Sequence, residues 1–251
     1  MSSTVRQVLS DELIGLSAAR ALTAIFTALE GIAEVYLAEC SPLPPLQQRF
    51  TLTSSELAVV SRAMDTRSRT GLPFWDAALL ELPAAPDALR LLDAVTMHVA
   101  LRGSERTISR DALLTGEVER ACNTFTPTGN SSLTILSEVR MRDGSRRQLP
   151  MVDFHAFASM PNQVVVKAVV KKLFPSGALL LESGQSYHAY GITLMNETQF
   201  REFLGRALLF SPIIDRSYLA HQLIEGRCAL RLTSGGGKST VPAVISVIQG
   251  S

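Results

Sequence analysis

Leu133-Thr-Ile-Leu-Ser-Glu-Val-Arg-Met141 and Arg147-Gln-Leu-Pro-Met-Val-Asp-Phe-His155 flank Arg142-Asp143-Gly144-Ser145. Asp-Gly between two runs rich in β-formers is a strong hairpin signal, because Asp tolerates and Gly freely adopts the turn conformations required. Pro150 lacks a ladder donor, so the second strand is expected to have an edge or bulge near its start. Downstream, Pro161-Asn162 introduces a helix over Gln163 to Phe174, with Val165, Val169 and Leu173 on one apolar line. Leu179 to Glu182 and Ser186 to Leu194 read as strands, and Asn196 to Phe210 as a helix. Asp215 to Glu225 reads as a helix ended by Gly226. Cys228 to Thr233 and Val241 to Ile248 read as closing strands joined by a hairpin turn. The order β-β-α-β-β-α-α-β-β predicts an α+β fold, with helices packed on a largely antiparallel sheet.

The first 125 residues or so read as helices. Leu13, Leu16, Ala19, Leu22 and Phe26 recur at spacings of three and four, and the apolar stretch from Leu13 to Leu37 is expected as a buried amphipathic helical hairpin. Arg20, Glu30 and Glu34 interrupt that stretch, against the roughly 20 nearly uncharged residues of a membrane span. Ser41-Pro-Leu-Pro-Pro45 breaks the run, and Thr53 with Glu56 three residues on has capping-box chemistry. Pro86-Asp87 opens a helix expected to reach Leu101, another runs from Ser109 or Asp111 to about Cys122, and Phe74 and Trp75 are expected to anchor the helical core. Thr126-Pro-Thr-Gly-Asn-Ser-Ser132 is a turn-rich connector, expected to separate a helical accessory domain, 1–125, from an α+β domain, 126–251.

With 46% hydrophobic and 19% charged residues among 251, composition is that of an ordinary soluble globular protein. Cys40, Cys122 and Cys228 are odd in number and form no CxxC or zinc spacing, so a reduced cytoplasmic setting is the simplest expectation. Met1-Ser-Ser-Thr-Val-Arg6 has no basic region leading into an apolar run, as a secretory signal needs. The net charge of +1 is uneven: residues 1–132 carry 11 Arg, no Lys and 15 acidic residues, whereas 133–251 carry 9 Arg, 4 Lys and 8 acidic residues. A basic second half hints at an anionic ligand or nucleic acid there.

Three short pieces carry the candidate chemistry. Residues two apart on a strand share a face, so Asp153 and His155 are expected to reach one ion together. Ser183-Gly-Gln-Ser-Tyr-His188 puts a small flexible turn before a strand, and its N–H groups with the His188 imidazole suit a phosphate. Asp215 opens a helix, where aspartate is also a common N-cap. Singly these are an exposed strand face, a tight turn and a cap; together, acidic, imidazole and acidic side chains suit a divalent metal and a triphosphate. Leu230-Arg231-Leu-Thr-Ser-Gly-Gly-Gly-Lys-Ser239 is not a P-loop, because the residue six before Lys238 is Leu232 and Pro242 follows at once. Lys238 still offers a point charge to a phosphate, with Arg231 on the preceding strand.

In this order the pieces resemble the catalytic core of the archaeo-eukaryotic primase superfamily, which includes the primase-polymerases. That pattern is an acidic DxD at the end of a hairpin strand, SGRGxH, a hydrophobic-Asp motif, and a strand arginine with a nearby lysine. Asp153 and His155, then Ser183, Gly184 and His188, then Ile214-Asp215, then Arg231 and Lys238 stand at those positions. The resemblance spans about 133–250 and implies a primase-like palm acting as a divalent-metal-dependent nucleotidyltransferase. Its substrates would be nucleoside triphosphates and a single-stranded nucleic-acid template, DNA or RNA, with replication among its settings. It implies Asp153, His155 and Asp215 as catalytic metal-binding residues, and Ser183, Gly184, Ser186, His188, Arg231 and Lys238 as nucleotide-binding residues. The N-terminal helices would serve a protein partner or self-association, with no membrane involved. Two departures bear on activity. His155 stands where an acid is expected, which weakens Mg2+ and is tolerated by Mn2+ or Zn2+. Gln185 replaces an arginine whose bidentate phosphate clamp glutamine cannot reproduce. A catalytically degenerate primase-fold subunit that binds nucleic acid or nucleotide is therefore the alternative.

Overall fold

The computed structural model describes residues 9–41, 44–97, 105–235 and 237–250. In chain order the strands are β1 (Ile32–Cys40), β2 (Glu105–Ser109), β3 (Ser132–Met141), β4 (Arg146–Gln148), β5 (Met151–Asp153), β6 (Gly177–Glu182), β7 (Tyr187–Gly191), β8 (Ala229–Arg231) and β9 (Ala243–Gln249). The helices are α1 (Ala18–Ala28), α2 (Leu46–Arg49), α3 (Ser54–Thr70), α4 (Phe74–Glu81), α5 (Leu91–Thr96), α6 (Arg110–Leu114), α7 (Glu117–Thr124), α8 (Met160–Leu173), α9 (Glu197–Leu208) and α10 (Arg216–Glu225). The fold is α+β, and the strand pairs are antiparallel.

The first sheet has the order β2-β1-β3-β4, with β8 also on β3. β1 lies along one edge of β3, while on the other edge β8 takes Thr134 to Leu136 and β4 takes Glu138 to Arg140. The second sheet runs β5-β7-β6-β9. The chain passes from one sheet to the other at Pro150. Leu149 N–H still donates to Ser137 O at 2.7 Å, whereas the Pro150 carbonyl already accepts from Gly191 N–H at 2.9 Å. Proline has no N–H with which to continue the ladder, so the single strand expected over 147–155 is two strands in two sheets.

Two further expectations are corrected. β8 and β9 do not pair as a hairpin, because β8 joins β3 and β9 joins β6. Gly235 and Lys238 exchange backbone hydrogen bonds of 2.8 and 3.0 Å in a tight turn, from which the two strands diverge. The apolar stretch from Leu13 to Leu37 is a 3₁₀ turn, a helix and a strand in place of a helical hairpin. Gly31, at φ +82°, lets the chain reverse after α1, and Ile32, Val35 and Leu37 of β1 are fully buried. The α1 end is closed from a distance, since Arg110 donates to the carbonyls of Phe26 and Thr27 at 2.6 Å each.

Two compact units result, 42–100 and 1–41 together with 101–251. The boundary expected at 126–132 is thereby displaced, because β1 is the direct neighbour of β3. In the larger unit α8 covers β6 and β9, and α9 packs on α10. In the smaller unit Val59, Val60, Leu82, Ala88 and Leu91 form one apolar cluster, and Ala63, Ala77 and Ala78 pack with Phe74 and Trp75 in another. The expected helix from Pro86 is a 3₁₀ turn, Pro86–Ala88, followed by α5; its end, 98–101, lies outside the described residues. No described helix is long and apolar enough to cross a membrane.

The smaller unit is pinned by Glu56. Thr53 N–H donates to Glu56 Oε2 at 2.7 Å and Glu56 N–H to Thr53 Oγ1 at 3.3 Å, a complete capping box. Arg90 covers the carboxylate with bonds of 3.0 and 2.9 Å, leaving Glu56 1% exposed. Glu56→Ala is expected to destabilise this unit by about 1 kcal/mol or more through the lost cap. Glu56→Gln, which can still close the box, is expected to cost less. Trp75 is the chain's single tryptophan, so its fluorescence during denaturant unfolding reads this unit alone; equal midpoints for parent and both variants would contradict the expectation.

Candidate functional site at the end of β5

Asp153 ends β5 and has a neighbouring chain segment on each side. Pairing of β5 with β7 sets it opposite His188. On the other side Phe154 bridges Ile214, Asp215 N–H donates to Asp153 O at 3.0 Å, and His155 N–H donates to Ile213 O at 2.8 Å. Directly opposite residues share a face, so Asp215, Asp153 and His188 stand in one row across three segments. Phe154 and Ile214 turn into the core, 2% and 0% exposed. Asp215 is also the N-cap of α10: its Oδ1 accepts from Tyr218 N–H at 3.0 Å, which leaves its second oxygen for the site.

The row is electrostatically strained. His188 Nε2 stands 3.5 Å from Asp153 Oδ1, in contact but without hydrogen-bond geometry. The Asp153 side chain is 30% exposed, yet Oδ1 itself is shut off from solvent. Desolvation, and after it the Asp215 charge, push the Asp153 carboxyl up to about 7, against an opposing pull from Lys238 and Arg231. Burial, then Arg231 and Lys238, push His188 down to about 3, so its imidazole is neutral near pH 7.

Two turns flank the row. In the β6–β7 turn, Ser183 N–H donates to Ser186 O at 2.9 Å, the two serine hydroxyls are 3.3 Å apart, and Gln185 O accepts from Ala158 N–H at 2.9 Å. Gly184 has φ +106°, and a Cβ there would run into Thr240 Oγ1. In the second turn, Lys238 Nζ donates to Gln185 Oε1 at 3.0 Å. Arg231 Nη1 donates to the carbonyls of Thr233 and Thr240, and Nη2 to that of Ser183.

The structure therefore brings Asp153, Asp215 and His188 together, sets Ser183, Gly184 and Ser186 in the adjoining turn, and holds Arg231 and Lys238 near enough to act on Asp153. His155 is different. Its N–H holds the ladder, but among the described residues its side chain has no hydrogen bond or ion pair, and no group of three or more His, Cys, Asp or Glu side chains converges on a metal position. His188, assigned to phosphate from the sequence, is the imidazole that reaches Asp153. Tyr190 and Tyr218 belong to none of the sequence motifs. The Tyr190 and Tyr218 hydroxyls and Gln222 Oε1 are buried without hydrogen-bond partners, as are Asp153 Oδ1 and His188 Nδ1. The Tyr218 hydroxyl lies beside the Cys228 thiol without reaching hydrogen-bond geometry. Spacing carried part of the signal, since Tyr190 is two after His188 on β7 and Tyr218 is three after Asp215.

The family described as AEP-like, archaeo-eukaryotic primase 1D-like, matches residues 112–242, just over half of the chain. The chain belongs to this family. No curated protein and no solved structure matches it. The primase-like span begins within α6 and closes before β9, so it takes in the whole Asp215–Asp153–His188 row and both turns.

The primase-like family implies a divalent metal. Adjacent carboxylates, one with a buried oxygen lacking a partner, fit a hard cation that takes one or two protein carboxylates and completes its shell with phosphate and water oxygens. They do not supply a closed all-protein cage.

Metal-free protein should show the row in its pH dependence. With its carboxyl raised from 3.8 to about 7, Asp153 binds more protons in the native state, so its contribution falls as pH rises across that window. His188, lowered from 6.5 to about 3, binds fewer protons in the native state, so its contribution rises with pH between those values. The two slopes oppose each other from about pH 4 to 6.5. Asp153→Asn should steepen the rise of unfolding free energy with pH in this range, and His188→Gln should turn it toward a fall. Denaturation series in chelator measure both; parallel profiles for parent and variants would exclude this arrangement of charge.

Proposed function

We propose that this primase-like protein is a divalent-cation-dependent nucleotidyltransferase of the primase-polymerase type, acting on nucleoside triphosphates and a single-stranded nucleic-acid template. The observation carrying the reading is the pairing of 153–155 with 213–215, which sets Asp153 beside Asp215 and opposite His188. Asp153 and Asp215 would hold Mg2+ or Mn2+. When bound, such a cation offsets triphosphate charge and favours ionisation of an attacking hydroxyl. The neutral His188 imidazole, the Ser183–Ser186 turn with Gly184, and Lys238 would face the triphosphate oxygens. The basic second half of the chain supports a template on that side. The compact unit 42–100 is the natural place for the accessory role, toward a protein partner or a second copy.

The test is incorporation of labelled nucleotides on single-stranded template with Mn2+ or Mg2+. Asp153→Asn and Asp215→Asn are each expected to lower the rate by about 100-fold or more, and the double variant by little beyond either, because paired ligands act as a unit. No incorporation under either metal, with nucleotide binding also absent, would sink the proposal.

A second reading, a primase-fold subunit that binds nucleotide or nucleic acid without turnover, is favoured by two observations. The row holds two carboxylates and no third, and the Arg231 guanidinium is engaged on backbone carbonyls. Binding that survives the double Asp153→Asn, Asp215→Asn change, with no turnover by the parent, distinguishes it.

A further inference from the structure

The two turns that face the row leave the sheets differently: the β6–β7 turn lies within the second sheet, whereas the Thr233–Thr240 segment runs from β8 of the first sheet to β9 of the second. β9 pairs with β6 as far as Ala243 and Glu182, which brings the two turns alongside one another. Arg231 fastens them beyond that ladder. Nη2 donates to Ser183 O at 2.6 Å, and Nη1 to Thr240 O at 2.6 Å and to Thr233 O, so three guanidinium N–H groups end on carbonyls from both turns. A guanidinium has five such donors in a fixed plane, and this plane is set by backbone on two sides. Two more contacts lie along the same seam. Thr240 Oγ1 occupies the space over Gly184, and Lys238 Nζ meets Gln185 Oε1 at 3.0 Å.

The two cations are thus held very differently. A phosphate drawn to Arg231 Nη1 must displace backbone carbonyls, which would then lose their partner. A phosphate drawn to Lys238 displaces one neutral amide oxygen at the exposed surface, an easy exchange.

We propose that Arg231 is a positioning residue: it ties the Ser183–Ser186 turn to the Thr233–Thr240 segment and so sets where Lys238 meets a triphosphate, without itself holding phosphate. This rests on the nucleotide-binding reading above, and it reassigns the arginine that the sequence pattern placed on the nucleotide.

The test is a double-mutant cycle on the full chain, read as the dissociation constant for ATP with Mn2+. Lys238→Ala and Arg231→Ala are each expected to weaken binding by about tenfold or more, the worth of a charged hydrogen bond. The double variant is expected to bind no more weakly than Lys238→Ala alone, because Arg231 acts through that lysine. Multiplying losses would show Arg231 on the ligand itself and overturn the proposal. Arg231→Lys keeps the charge but cannot reach carbonyls of both turns in one plane, and it guards against an alanine variant that fails to fold. It should weaken binding as alanine does; full affinity with lysine would overturn the proposal. Amide exchange gives a readout that needs no nucleotide. In Arg231→Lys, exchange should rise together at 183–186 and 237–240 and stay unchanged in α3, whereas unchanged exchange at both turns would overturn the strut. A parent that binds no ATP in Mn2+ would end the nucleotide-binding reading and the proposed role of Lys238 with it.

Discussion

Two carboxylates stand directly across a backbone ladder from one another, and the site depends on why the chain accepts this. Like charges opposite each other on paired strands destabilise, by up to about 1 kcal/mol. Here the same ladder buries Phe154 and Ile214 on its other face, each worth about 2 kcal/mol or more. Apolar burial outweighs the repulsion, so the aspartates are held together by residues that do no chemistry. The residual strain appears as a carboxyl raised to about 7, and a cation between the two would relieve it.

The architecture follows from that ladder. Pro150 delivers the chain from the first sheet into the second just ahead of Asp153. Asp215 then serves twice, as the cap that starts α10 and as a wall of the site. His188 completes the row from β7, buried deeply enough that its imidazole stays neutral beside a carboxyl that prefers its proton. Arg231 brings positive charge to the same place from the first sheet and Lys238 from the segment between β8 and β9, although strand pairing within the second sheet defines the row.

How much of this was legible depended on the range of the interaction responsible. The capping box at Thr53 and Glu56, the turn at Asp143-Gly144 and the start of α10 at Asp215 are each decided within a few residues, and each was readable. β1 was not. Its apolar run suits a helix or a strand equally, and it is a strand because β3, about 100 residues later, offers an edge. The same reason defeated the β8–β9 hairpin and the domain boundary: each depends on which edge a strand finds, and that edge lies far along the chain.

The candidate site divides along the same line. Sequence order and residue type singled out Asp153, Asp215, a Ser-Gly turn and His188 as one group, since motif spacing survives in the chain itself. Tertiary structure decided their parts. Side-chain alternation favoured His155 beside Asp153, but β7 brings His188 there, and cross-strand pairing carries no trace in local spacing. It also decided that Arg231 ends on three backbone carbonyls, because those acceptors come from turns up to 48 residues away, which folding alone brings within reach of one guanidinium.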